Sequence, residues 1–308
     1  MKKIIMYILV VITFLILKNS DIVINTVIYS VNLFKKSIFP SLFPFFIISE
    51  LLINYGFVEY ISNIFKPFMN KIFKINSKCS FILFMSMISG FPSNSKYTKD
   101  LYLMGKISEL EASKILMYTH FSNPLFIMGA ISITFLNDKK AGIIILIIHY
   151  LTNFIIGFLF RNILRTPINN SISIQKKEKE LSFSSILSNA IINSFSTLFL
   201  ILGTIIIFLI VTNLIDQILP LNPYFKAIIS GILEMSGGIN NISLLNISLK
   251  NKCTLIGMVL SFGGLSVHMQ IKSILSDTKI KYYPFFIARL IHSSITGIII
   301  YFLFDFIY

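Results

Sequence analysis

The chain has 308 residues, of which 55% are hydrophobic and only 13% charged, with a mean hydropathy of +0.80. A soluble domain carries about 25% charged residues, so a water-soluble globular fold is excluded. The net charge of +14 does not point to nucleic acid, because the lysines fall in short segments between apolar runs and read as topology signals.

Lys2 and Lys3 precede an apolar run at 4–17. It has the look of a signal peptide, but the following "KNSDIVIN" lacks a small-x-small cleavage site, so an uncleaved first span is expected. At about 1.5 Å per residue, ~20 apolar residues cross the hydrocarbon. Residues 143–160, 197–215, 255–267 and 284–304 form further windows almost free of charge, and none alternates as a barrel strand would. The fold class is an all-α polytopic membrane protein whose partner on most sides is lipid.

Residues 18–36 carry Asp21, Asn25, Asn32, Lys35 and Lys36 and read as an interfacial segment, setting 1–37 apart. A span at 38–55 returns inward to a basic amphipathic stretch holding Lys66, Lys71, Lys74 and Lys78. Spans at 112–135 and 143–160 follow, delivering Arg161, Arg165, Lys176, Lys177 and Lys179 to a cytoplasmic linker, 161–182. Residues 183–193 read as amphipathic and interfacial. Spans at 197–215, 255–274 and 284–304 then place the C-terminus outside.

Two regions fit no simple span. Residues 80–106 read as an apolar limb, a breaker at Ser89-Gly90-Phe91-Pro92, and a mixed limb; residues 222–250 read likewise around Glu234-Met235-Ser236-Gly237-Gly238. Each limb is half a crossing, so both are expected to be re-entrant helical hairpins. One enters from the cytoplasm and the other from outside, which makes 38–160 and 183–308 two inverted repeats. Ser89-Gly90 and Ser236-Gly237 then sit at matching tips. Asn123-Pro124 and Gly263-Gly264 interrupt the next span of each half, the pattern that marks a transporter's substrate site.

The residue types suit that role. Gly90, Gly237 and Gly238 let the chain reverse and approach a ligand. Ser93, Asn94 and Ser95 are expected to cap the returning helix, whose start suits a carboxylate or phosphate. Lys96 adds a charge one turn on; it either contacts the substrate or snorkels to the surface beside Lys99. Glu234 reads as a hydrogen-bond acceptor for the substrate, a proton-coupling group, or a partner for a nearby donor. His120 and Asn123 either bind ligand or satisfy backbone freed by the break; His149, His268 and His292 read as interhelical. Cys79 and Cys253 lack zinc or redox spacing. With no paired carboxylates, nucleophile elbow or His/Cys cluster, neither an enzyme nor a metal or cofactor site is expected.

"SGFPSNSKYTKDLYLMGKIS", the following "SNP" and "LEMSGG" resemble the YlbJ (SpoVV) family of sporulation integral membrane proteins. These carry the Gate, or nucleoside-recognition, domain and are related in architecture to concentrative nucleoside transporters. The resemblance implies a carrier in the outer forespore membrane of a spore former, moving dipicolinic acid from the mother cell toward the forespore. It also implies site residues Ser89, Gly90, Pro92, Ser93, Asn94 and Lys96 on the first hairpin, and Glu234, Ser236, Gly237 and Gly238 on the second. Phe91, Phe121 and Phe262 either face the ligand ring or simply pack. A nucleoside carrier reading its ligand with Glu234, Asn94 and Asn240 is the alternative, and a non-transporting assembly factor a third. Proton or sodium coupling and an oligomer are compatible with all three.

Overall fold

The computed structural model describes residues 2–164, 182–219 and 221–308. Most of the expected linker, including Arg165, Lys176, Lys177 and Lys179, lies outside the described residues. Among the described residues every regular element is a helix, with no strand. Four helices meet the length and hydropathy of a crossing alone, and six do so if two sharply bent pairs each count as one.

Helix α1 (Lys2–Lys18) meets α2 (Ser20–Leu33) at a 94° bend. α2 does not end where the apolar run begins. A π-helical turn, Phe34–Ile38, carries it into α3 (Phe39–Asn54), so the boundary drawn at 37/38 falls inside one helical rod. Gly56, at φ +79°, turns the chain by 86° into α4 (Phe57–Phe68). Val58 and Ile61 on one face of α4 are buried, while Tyr60 and Ile64 on the other are exposed, as its charged, amphipathic sequence requires.

α5 (Cys79–Ser89) and α6 (Ser93–Leu103) form the first hairpin. α7 (Glu109–Leu116) starts at a capping box made by Ser108 and Glu111. The crossing expected at 112–135 is split: α7 stops, 119–123 are extended or irregular, and a helical segment resumes and runs as Phe126–Phe135. α8 (Lys139–Leu159) is capped by Asp138, whose side chain accepts from the Ala141 N–H.

α9 (Phe183–Ile218) is a single 36-residue helix. The interfacial segment expected at 183–193 is its first three turns. At about 1.5 Å per residue the helix reaches ~54 Å, well beyond the ~30 Å hydrocarbon core, so its serine- and asparagine-bearing start extends past the apolar layer. α10 (Pro223–Leu233) and α11 (Met235–Leu244) form the second hairpin. α12 (Leu249–Phe262) and α13 (Gly264–Ile274) are one crossing broken at Gly263, φ +90°. α14 (Tyr283–Ile307) closes the chain.

The order hairpin, interrupted crossing, unbroken crossing therefore occurs twice, as α5–α8 and as α10–α14. One buried apolar cluster gathers Phe46, Phe73, Phe81, Tyr97, Tyr118 and Phe285 around the first hairpin; another gathers Ile127, Ile145, Ile239, Ile256 and Ile300 around the second. Phe91, at the first tip, packs against both. Large apolar side chains stay exposed along α1 (Tyr7, Phe14, Leu17) and α14 (Phe302, Phe306), the surface that lipid covers.

Candidate functional site

The reversal of the first hairpin depends on Gly90. Its φ is +81°, and a Cβ there would stand 2.4 Å from the Asn123 backbone nitrogen, so only glycine lets the tip close on the broken crossing. Asn123 secures the contact from the other side. Its Nδ2 donates to the Ser89 carbonyl at 3.1 Å, while its Oδ1 accepts from the Leu125 N–H at 2.7 Å and caps the resumed helix. The Phe91 N–H donates to the Phe121 carbonyl at 2.7 Å. Ser89 turns its hydroxyl back to the Met85 carbonyl at 2.7 Å and accepts from the Tyr97 hydroxyl at 3.0 Å.

The second hairpin reverses at one residue. Glu234 is extended (φ −140°, ψ 120°), ends α10 and begins α11, and its Oε2 accepts from the Gly237 N–H at 2.8 Å. The glycines expected to make this turn do other work. A Cβ on Gly238 would lie 2.1 Å from the Gly231 Cα, so Gly238 lets the two limbs cross in backbone contact, and Gly237 lies against Leu209 of α9. The matching tip positions are thus Gly90 and Glu234; Ser236-Gly237 belongs to the first turn of α11.

Both tips and the first break meet the first two turns of α13 at a central cavity of about 70 Å³. One wall holds Pro92, Ser122, Asn123, Glu234, Ser236 and Gln270, with Phe91 and Phe126. It is built from the starts of α6, of the helix after Asn123, and of α11, with the first two turns of α13. The facing wall is aliphatic: Ile38 and Leu42 from the α2–α3 rod, Ile201 and Ile205 from α9. The volume corresponds to about two waters at ~30 Å³ each. A small-molecule site needs ~300 Å³ or more, so admitting a ligand requires the two walls to separate.

Asn123 and Glu234 cap their own helices, whereas α6 and α13 start without a side-chain cap. Serine and asparagine were expected to cap α6, but its N-cap is Pro92 and Ser95 donates its hydroxyl to the Pro92 carbonyl at 2.6 Å. Ser93 lies buried beside Tyr97. Both polar atoms of the Asn94 amide, both ring nitrogens of His120 and the Ser266 hydroxyl are buried with no hydrogen-bond partner. The His120 ring stacks on Phe91 at 4.3 Å and 10°. Gly263 makes room for it, since a Cβ there would sit 2.7 Å from its Nε2, and Gly264 gives the same room to the Met235 nitrogen at 2.9 Å. Asn240 is half-buried, off the cavity wall, and its carbonyl accepts from Ser243.

Lys96 neither reaches the cavity wall nor snorkels. Its ammonium is buried between Glu50 of α3 at 3.2 Å and Asp100 of α6 at 3.0 Å, and Glu50 also accepts from Asn193 of α9 at 2.8 Å. The second acid comes from 46 positions away, beyond local sequence reasoning.

Sequence reasoning also passes over the groups that hold the break. Residues 117–123 leave backbone groups unpaired in a medium without water, and α8 and α14 supply partners. Arg289 donates to the Met117 carbonyl. Asn153 Nδ2 donates to the His120 carbonyl at 3.0 Å, the Ser122 N–H to His149 Nε2 at 3.0 Å, and the Tyr150 hydroxyl to the Ser122 carbonyl at 3.1 Å. His149, Thr152, Ser261, Thr296 and His292 then form one hydrogen-bonded chain joining α8, α12 and α14. The signal was a lone arginine in a span, with polar residues at i+3 and i+7 on α14 and at 149, 152 and 153 on α8.

These features define a polytopic α-helical membrane protein with a central site made from two hairpin tips and two discontinuous crossings. The chain belongs to the Gate family, described as nucleoside recognition, whose model matches residues 36–212. It is similar to the sporulation integral membrane protein YlbJ of Bacillus subtilis strain 168. The two are 31% identical over an alignment covering 87% of this chain and 74% of that relative. No solved structure matches.

Proposed function

We propose that the chain is a carrier for a small organic anion, that the anion is dipicolinate, and that it is carried during sporulation across the outer forespore membrane toward the forespore. The observation that carries this reading is the central cavity, where the uncapped start of α6 and the polar side chains of Ser122, Asn123, Glu234, Ser236 and Gln270 share a lining with aliphatic residues of α3 and α9. Helix starts present N–H groups and partial positive charge to a carboxylate, and the aliphatic wall and Phe91 suit the edge and face of a planar ring. Polar groups left unpaired in hydrocarbon are costly, which speaks against a purely structural assembly role. The relative's name supports the sporulation context. Oppositely inserted hairpins would give the two halves inverted topology and hence alternating access. Glu234, on the cavity wall, suits a dianion once protonated, which makes it the proton-coupling group of this reading.

Deleting the gene should leave dipicolinate in the mother cell and deplete it in spores, and purified protein in liposomes should take up labelled dipicolinate. Normal spore dipicolinate would overturn the reading. The family description favours one alternative, a nucleoside carrier. It would use Asn123, Gln270 and Glu234 on the wall but not Asn240, and competition of uptake by nucleosides would select it.

A further inference from the structure

We propose that Arg289 makes the central cavity selective for anions without touching the ligand. The inference rests on the organic-anion reading above and deepens it. Arg289 is fully buried in α14, a helix long and apolar enough to cross the membrane. Among the described residues no carboxylate lies within salt-bridge distance of it. Its acceptors are neutral: the Met117 carbonyl, Asn153 Oδ1 at 3.4 Å and His292 Nδ1 at 2.7 Å. His292 accepts there while its Nε2 faces Thr152 and the His149 carbonyl, the pattern of a neutral ring. His149 accepts the Ser122 N–H and is neutral by the same logic.

Lys96, the other buried cation near the first tip, is neutralised by two acids. Arg289 therefore carries an uncompensated positive charge in a low-dielectric interior, an expense that intramembrane charges carry for function. Its route to the cavity is a file of aromatic rings. The guanidinium sits over Phe285 at 5.3 Å, Phe285 meets His120 at 5.4 Å, and His120 stacks on Phe91, a cavity-wall residue. Those groups are in ring contact from one to the next, so the field crosses a low-dielectric path and is poorly screened. It also opposes Glu234, the carboxylate on the same wall. A structural clamp on Met117 alone would need a donor, not a full charge.

Taken over the length of that file, on the order of 15 Å, and an effective dielectric of ~20, a unit charge changes the affinity for each unit of ligand charge about sixfold. The test measures equilibrium binding of two probes to the full-length chain in detergent: dipicolinate, a dianion, and pyridine-2,6-dicarboxamide, its neutral isostere. R289Q keeps a donor and removes the charge; it should weaken dipicolinate roughly ten- to a hundredfold and the diamide by less than about threefold, with R289K restoring most of the loss. N153D is the second variant: it sets a countercharge against the guanidinium at the position Asn153 Oδ1 already fills, and because it also gives up the donation to the His120 carbonyl, it is read through the ratio of the two probes and not through either affinity alone. It should lower the dipicolinate-to-diamide affinity ratio in the same direction. Equal loss of both probes in R289Q, or an unchanged ratio in N153D, overturns the inference and leaves the anion-site reading standing. A wild-type chain that binds neither probe overturns both.

Discussion

Replacing Lys96 separates a structural tie from a substrate contact. Its side chain is 7% exposed, against 14% for Glu50 and 26% for Asp100. Lys96→Ala leaves two carboxylates facing each other across the seam between the first hairpin and α3, with nothing to neutralise them. Breaking a fully buried pair costs about 3–5 kcal/mol, while exposed pairs are worth under ~1 kcal/mol. The partial exposure of Asp100 places this case at about 2–4 kcal/mol. The triple variant Glu50→Gln, Lys96→Met, Asp100→Asn removes all three charges together and keeps an amide oxygen for Asn193. Replacing a buried ionic group by neutral residues of similar size is often neutral or stabilising, so it should recover most of that loss.

The assay pairs thermal unfolding in detergent with dipicolinate binding. The single variant should lose stability, and the triple variant should regain stability and bind within a few-fold of wild type, because Lys96 is not on the cavity wall. Wild-type stability in Lys96→Ala would refute the tie. A triple variant that is fully stable yet does not bind would show that the ammonium meets the substrate.

Gly238→Ala drives a Cβ into the Gly231 backbone, a clash no rotamer relieves. It should cost at least ~3 kcal/mol and give aggregated protein in size-exclusion chromatography, whereas Gly203→Ala, with open space around it, should elute as wild type. Glu234→Gln keeps an acceptor for the Gly237 N–H and should fold normally while uptake into liposomes loses its dependence on a proton gradient; Glu234→Ala should also lose about 1–2 kcal/mol of helix cap. Asp138 is held below the usual carboxylate range chiefly by the Ala141 N–H. Its contribution is present above the unfolded pKa and disappears as pH falls through the folded one. The stability gap between wild type and Asp138→Ala, about 1 kcal/mol at neutral pH, should therefore close in melts run in acid, and a gap that is flat across that range would discount the cap.

The hairpins were legible because half-length apolar limbs and clustered breakers are local signals, and the same holds for the interruptions at Asn123-Pro124 and Gly263. What misled was reading every glycine as a bend. Gly237 and Gly238 look like a tip, but the chain turns at Glu234, which can end one helix and cap the next because its carboxylate reaches the Gly237 N–H. The continuity of α9 was hidden for a related reason: serines and asparagines in its first turns suggest an interface, yet nothing there breaks a helix. Partners across the fold were beyond local pattern, as Glu50 with Lys96 and Gly231 with Gly238 show. Arg289 differs from these, since it was legible and went unread in a run described as nearly free of charge. In a soluble protein one arginine among 25 helical residues is unremarked. In a crossing it must be neutralised, solvated or used, and the structure surrounds it with neutral acceptors. The break at 117–123 and the charge behind it are then one device: opening the helix frees the Met117 carbonyl to hold the guanidinium, and the guanidinium ties the opened segment to α14.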